Sequence, residues 1–279
     1  MSMQGTTQMG RAQGEKVAHS NTFEWLARAG LAARGVVYGV IAVLALKLAL
    51  GDGGKTTDQQ GALKEIAQQP FGKVLLVLVA VGLFGYALWR LVRAAIGHGA
   101  EGDRDDTKER LAGAFSGLAY GLLGVTAVQI LIGSGSSGGS GQEKATGGVL
   151  DWPGGQILVI IAGVILIGVA VDQAIKGIKK KFLEKSHTER MSEKVEKTFT
   201  AMGVFGHLAR AVIFTLMGYF LIKAAIDYDP DKAVGIDGAL AKLGDSSFGP
   251  IVLGAVALGL LGFGAYSFMD AATGGSEPG

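Results

Sequence analysis

Eight ionisable residues interrupt or border runs that are otherwise apolar: Arg34, Arg90, Arg93, Asp172, Lys176, His207, Arg210 and Asp270. A guanidinium presents parallel N–H donors that fit an oxyanion, and a carboxylate set among cations either pairs with them or takes part in ion movement. The eight therefore make a candidate polar layer for an ion or a lipid headgroup on one side of a membrane. Asp172 leads it as a carboxylate surrounded by cations. His207 precedes Arg210 by three residues, which puts both on about the same helix face. It reads either as a pH-sensing or ligand-binding group or as a hydrogen-bonded packing residue. Snorkelling cations and interhelical pairs, an arginine with Asp172 or Asp270, account for the same residues without any ligand.

Other chemistries lack their residues. A chain with no cysteine has no thiolate nucleophile, thiolate metal site or disulfide. His19, His98 and His187 do not cluster, and no two histidines stand at HxxxH or HExxH spacing. Lys47 and Lys223 fall near the outer ends of apolar runs, which suits snorkelling better than Schiff-base chemistry. Asp227, Asp229, Asp231 and Asp237 do not fit an EF-hand loop and read as a solvated link. The expectation is a non-enzymatic protein with no catalytic residue, no cofactor and no metal. A net charge of +2 gives no reason to expect a nucleic-acid partner.

The elements that must position these groups are membrane spans. Mean hydropathy is +0.37 and 49% of residues are hydrophobic, unlike an ordinary water-soluble chain. Six segments near 29–50, 72–96, 112–133, 154–178, 202–226 and 248–271 are each long enough to cross a hydrocarbon core of ~30 Å as a helix. The links at 51–71, 134–153 and 227–247 alternate with those at 97–111 and 179–201. Eighteen of the 26 Lys and Arg residues fall in the N-terminal region, the second set of links and the adjoining helix ends. The positive-inside rule then predicts a bacterial inner (cytoplasmic) membrane protein with both termini cytoplasmic. The first 20 residues are polar and lack the apolar core of a cleaved signal peptide, so the first span is expected to direct insertion.

An internal repeat organises the spans. Arg34 and Arg210 are each followed thirteen residues later by lysine, Lys47 and Lys223. "GAL" at 61–63 and 238–240 stands eight residues, counted from its leucine, before Phe71 and Phe248, each followed by glycine, and Gly82 and Gly85 match Gly259 and Gly262. The middle unit fits less closely: "GLAYG" at 117–121 parallels "GVVYG" at 35–39, "DWPGG" at 151–155 parallels "QPFGK", and Gly168 takes the place of Gly85. Its link "GSGSSGGSG" at 133–141 reads as a flexible low-complexity stretch. Three like-oriented hairpins predict an all-α pseudo-threefold bundle of six helices, divided as a tail 1–22, hairpins 23–100 and 101–183, a linker 184–199, a hairpin 200–273 and a tail 274–279. Pro70, Pro153 and Pro250 serve as helix-start signals. The glycine seams, "GVVYG" and Gly113, Gly117 and Gly121, predict close backbone packing.

On "LAARGVVYG", "ALKEIAQQPFGKVLL", "GLFGYALWRLVRA", "AIKGIKKKF" at 174–182, "HLARAVIF" and "GIDGALAKL", the chain resembles the bacterial membrane proteins of the domain of unknown function 1206 family over about 23–273. The resemblance implies six helices in three tandem two-helix units in an inner membrane. It transfers no catalytic residue. Ser116 and Gln129 stand where the other two units have arginine and lysine.

The stretches 78–86, 120–126, 160–167, 212–219 and 256–263 carry no Asp, Glu, Lys, Arg or His, so no mid-bilayer proton relay is expected. Lys179, Lys180 and Lys181 should contact anionic headgroups. "GALKEIAQQ" and "GIDGALAKLG" read as amphipathic helices on the outer side, either caps or docking faces. The leading expectation is a structural or interaction subunit that packs against a membrane protein partner, a second copy or lipid. The alternative is a small-solute or ion channel or transporter using Arg34, Arg210 and Asp172 as an inner filter.

Overall fold

A computed structural model describes residues 21–96, 107–134, 141–185 and 191–273. Its helices are α1 (Asn21–Ala49), α2 (Gln59–Gln68), α3 (Gly72–Ile96), α4 (Thr107–Leu131), α5 (Gly141–Leu150), α6 (Gly155–Ile178), α7 (Glu193–Ile226), α8 (Ile236–Gly244) and α9 (Gly249–Thr273). Six of these, α1, α3, α4, α6, α7 and α9, are long and apolar enough to cross a membrane. The chain is a multi-pass, all-helical membrane protein. Three spans, α1, α4 and α7, start earlier than hydropathy places them. α7 begins at Glu193, where Glu193 and Glu196 sit favourably against the helix N-terminus and Lys197 pairs with Glu193 at 2.6 Å. Polar residues thus extend the helix beyond the apolar run.

In each repeat the link between the two spans carries a short helix, α2, α5 or α8, just before the second span. α2 buries Ala62, Leu63 and Ile66, and α8 buries Ile236, Ala239 and Leu240, in the same core as the spans, so both are caps. Asp58 caps α2 by accepting the Gly61 N–H at 2.7 Å. Burial, with Asp237 nearby, pushes its carboxyl above the usual range although that bond opposes the shift. α5 lies just beyond a link whose low-complexity sequence gave no sign of a helix.

The joint between cap and span repeats three times. Gly72, Gly155 and Gly249 donate their N–H groups to the carbonyls of Gln69, Trp152 and Ser246 at 2.7, 2.8 and 2.8 Å. A Cβ on each would lie 2.2, 1.8 and 1.7 Å from the carbonyl oxygens of Ile66, Val149 and Gly244. Only glycine fits there. Pro70 and Pro153 lie in the turn before the helix, and Pro250 in its first turn.

The spans form an incomplete ring. Between repeats, α3 packs on α4, α6 on α7 and α9 on α1. Within repeats, α1 packs on α3 and α7 on α9, whereas α4 and α6 share no extended contact. The threefold relation therefore governs the joints between repeats and stops inside the middle one. Residue sizes explain this. Gly30 admits Tyr86 and Gly206 admits Phe263, while Gly82 rests on Ala29 and Ala33 and Gly259 on Phe205 and Ala209. On the second span of the middle repeat, Ile165 stands in the place of Gly82 and Gly259, and without a small residue there the helices cannot approach as closely.

Candidate functional site

The site is built on Phe263, which α9 turns into the ring and which is 1% exposed. Two guanidiniums, from the first and third repeats, meet this one ring: the Cζ atoms of Arg34 and Arg210 lie 5.0 and 4.5 Å from its centroid. Arg210 also lies 5.7 Å from the Tyr38 ring and 5.2 Å from Phe214. Tyr38 meets Phe263 edge-on at 5.1 Å. Contacts of this kind contribute about 0.5–2 kcal/mol each, more where water is excluded. Tyr120 of the middle repeat is within electrostatic range of both arginines.

The two cations are held differently. Arg34 donates from Nε to Ser267 Oγ at 3.1 Å, and that hydroxyl donates to the Phe263 carbonyl at 2.8 Å. Asp270, 1% exposed, adds a negative charge near Arg34. Arg210 has its Nε buried without a partner, and its guanidinium makes neither a hydrogen bond nor an ion pair among the described residues. At 1.5 Å per residue, Arg34 and Arg210 lie about 22–24 Å along α1 and α7 from the ends at Ala49 and Ile226.

His207 lies beside this pair but engages α6. Its Nδ1 is 2.6 Å from Gln173 Oε1. The other ring nitrogen, Nε2, is buried without a partner among the described residues. The ring stacks on Phe182 at 5.2 Å and meets Phe263 edge-on at 5.7 Å. This geometry favours the packing reading.

The polar layer read from sequence thus divides. Arg34, Arg210, His207 and Asp270 converge around Phe263. Asp172, expected to lead the site, instead pairs with Lys176 one turn along α6 at 2.9 Å, on a face where its side chain is 53% exposed. The helical period accounts for the difference: Gln173, its neighbour, takes the buried position. Arg90 sits apart, its Nε donating to the Tyr86 hydroxyl at 3.3 Å and its guanidinium 5.7 Å from the Trp89 ring. The Arg93 side chain lies outside the described residues. Lys179, Lys180 and Lys181 are exposed, while Phe182 and Phe199 beside them turn into the core. Gln173, Ser267 and Phe263 had no part in the sequence reading. A polar residue one turn from an ionisable one, as Ser267 is from Asp270, was the available signal.

Three tandem matches to a family profile, described as Domain of Unknown Function (DUF1206), cover residues 29–97, 111–180 and 205–274. A protein of Bacillus subtilis (strain 168), named "Uncharacterized protein YxxB", is 35% identical over 245 residues, which are 87% of this chain and 88% of that one. No solved structure matches the chain.

Proposed function

The chain belongs to the DUF1206 family, and from that premise we propose that it is a non-enzymatic accessory subunit of a bacterial cytoplasmic membrane. It packs through its middle repeat against other membrane proteins or lipid, with both termini in the cytoplasm. The observation that carries this reading is the opening between α4 and α6. Only 17% and 22% of their span residues are buried, against about half in α1, α3 and α9. Leu118, Leu122 and Val125 on α4 and Ile161, Val164 and Ile165 on α6 are exposed. Small residues remain on the same helices for close contact, since a Cβ on Gly168 would meet nothing within 4 Å.

Because the chain has no cysteine, single thiols carrying a photo-crosslinker can be placed at Leu122 or Ile165, with Leu78 on α3 as the reference. In native membranes a discrete cross-linked partner is expected from the α4 and α6 sites and not from Leu78. Lipid adducts alone at all three sites, with ion flux in liposomes that Arg210→Gln alters, would refute the accessory reading. That second result belongs to a channel or transporter, which the inward-facing Arg34 and Arg210 favour. The wall of Tyr38, Phe214 and Phe263 packed against them favours a filled interior.

A further inference from the structure

We propose that Arg34 and Arg210 together bind one phosphate group inside the open ring. Both Cζ atoms lie close to the same centroid, at 5.0 and 4.5 Å, so they are no more than about 9.5 Å apart. Two guanidinium forks at such a separation can share a tetrahedral oxyanion, each through paired N–H donors. The aromatic rings meet the guanidiniums without supplying an acceptor for those donors. For Arg210 none is supplied among the described residues, and its Nε is buried.

Charge leads to the same place. Asp270 is the one carboxylate among the buried described residues and offsets at most one of the two cations. A partly buried cation set among apolar helices without a counter-charge is disfavoured. His207 supplies none, because an imidazole is either neutral or positive. One remaining positive charge matches the single negative charge of a phosphodiester. Access is lateral: the ring opens between α4 and α6, and Tyr120 on α4 lies within range of both guanidiniums.

The phosphate can come from a lipid headgroup or from solution, and the test separates the two. Full-length protein in dodecyl maltoside micelles, which carry no phosphate, is titrated with inorganic phosphate and, separately, with phosphatidylglycerol. Thermal unfolding is followed by tryptophan fluorescence and phosphate binding by ³¹P NMR. Wild type is expected to show a saturable rise in unfolding midpoint with at least one probe. A response to inorganic phosphate assigns a soluble anion, and a response to phosphatidylglycerol alone assigns a headgroup. Arg210→Gln, which removes no hydrogen bond within the described residues, should weaken the response about tenfold or abolish it. If that variant fails to fold, Arg210→Lys keeps the charge, loses the fork and should still weaken binding measurably. No response of wild type to either probe, or an equal response in wild type and variant, overturns the proposal.

Discussion

At the scale of single residues, the network that fixes Arg34 makes a direct prediction. Ser267 is fully buried and uses its hydroxyl twice, accepting from Arg34 and donating to Phe263. Ser267→Ala leaves the Arg34 Nε–H without its acceptor, which costs about 1–2 kcal/mol, read as a loss of stability in detergent unfolding. Asp227, outside the spans, shows the opposite environment. A hydrogen bond from Lys232 at 2.9 Å holds its carboxyl below the usual range. The stability this lends is present above the ordinary carboxylate pKa and is lost as pH falls through the lowered one. Lys232→Met should move the Asp227 titration midpoint upward, as measured by carboxyl ¹³C NMR, and high salt should shrink the difference because the pair is exposed. Arg34 and Arg210 were legible in sequence because charge interrupts an apolar run. Their convergence was not, since it depends on rings such as Phe263, distant in the chain. Asp172 and Gln173 part for a related reason: one position along a helix turns a side chain by about 100°.

Among elements, glycine decides which helices touch. A Cβ on Gly206 would stand 2.7 Å from both Cα and Cβ of Phe263 and 2.9 Å from its nitrogen. Backbone cannot yield as a flexible side-chain tip can, so α7 and α9 must separate. Gly206→Ala is therefore expected to destabilise by about 1–3 kcal/mol. Gly168→Ala meets nothing within 4 Å and should be neutral or stabilising by up to about 1 kcal/mol through helix propensity. Equal effects of the two substitutions in one unfolding assay would remove glycine-mediated contact as the cause of the packing. The seams read from sequence were real at Gly117, whose Cβ would meet Leu91 at 2.8 Å, and looser at Gly113 and Gly121, where the nearest side-chain atoms are 3.6 and 3.7 Å away. Composition announces close packing without saying which helix supplies the other side. It also hid α5, because a glycine-rich stretch lowers helix propensity locally while tertiary contacts at Thr146 and Leu150, both buried, hold the helix in place.

For the whole molecule, the repeat was visible in the spacing of arginines, lysines and glycines, and from it six helices in three units. Its incompleteness was visible only in part. Ser116 and Gln129 marked the middle unit as different, but the feature that parts α4 from α6 is the absence of facing small residues, and which positions face each other follows from helix rotation. The orientation across the membrane is argued from charge and is open to a labelling test. The caps α2, α5 and α8 each precede the second span of a hairpin, so three like-oriented hairpins must carry all three caps on one face, while Lys179, Lys180 and Lys181 lie on the other. Moving that basic cluster outward would oppose both the membrane potential and the attraction of anionic lipid. Single cysteines in place of Asp52, Lys144 and Asp245 should therefore react with an impermeant maleimide in intact cells. Cysteines replacing Lys180 and Lys197 should react only after permeabilisation. Labelling of Lys180→Cys in intact cells, or protection of one cap while the other two react, would contradict three parallel hairpins with their basic ends inside.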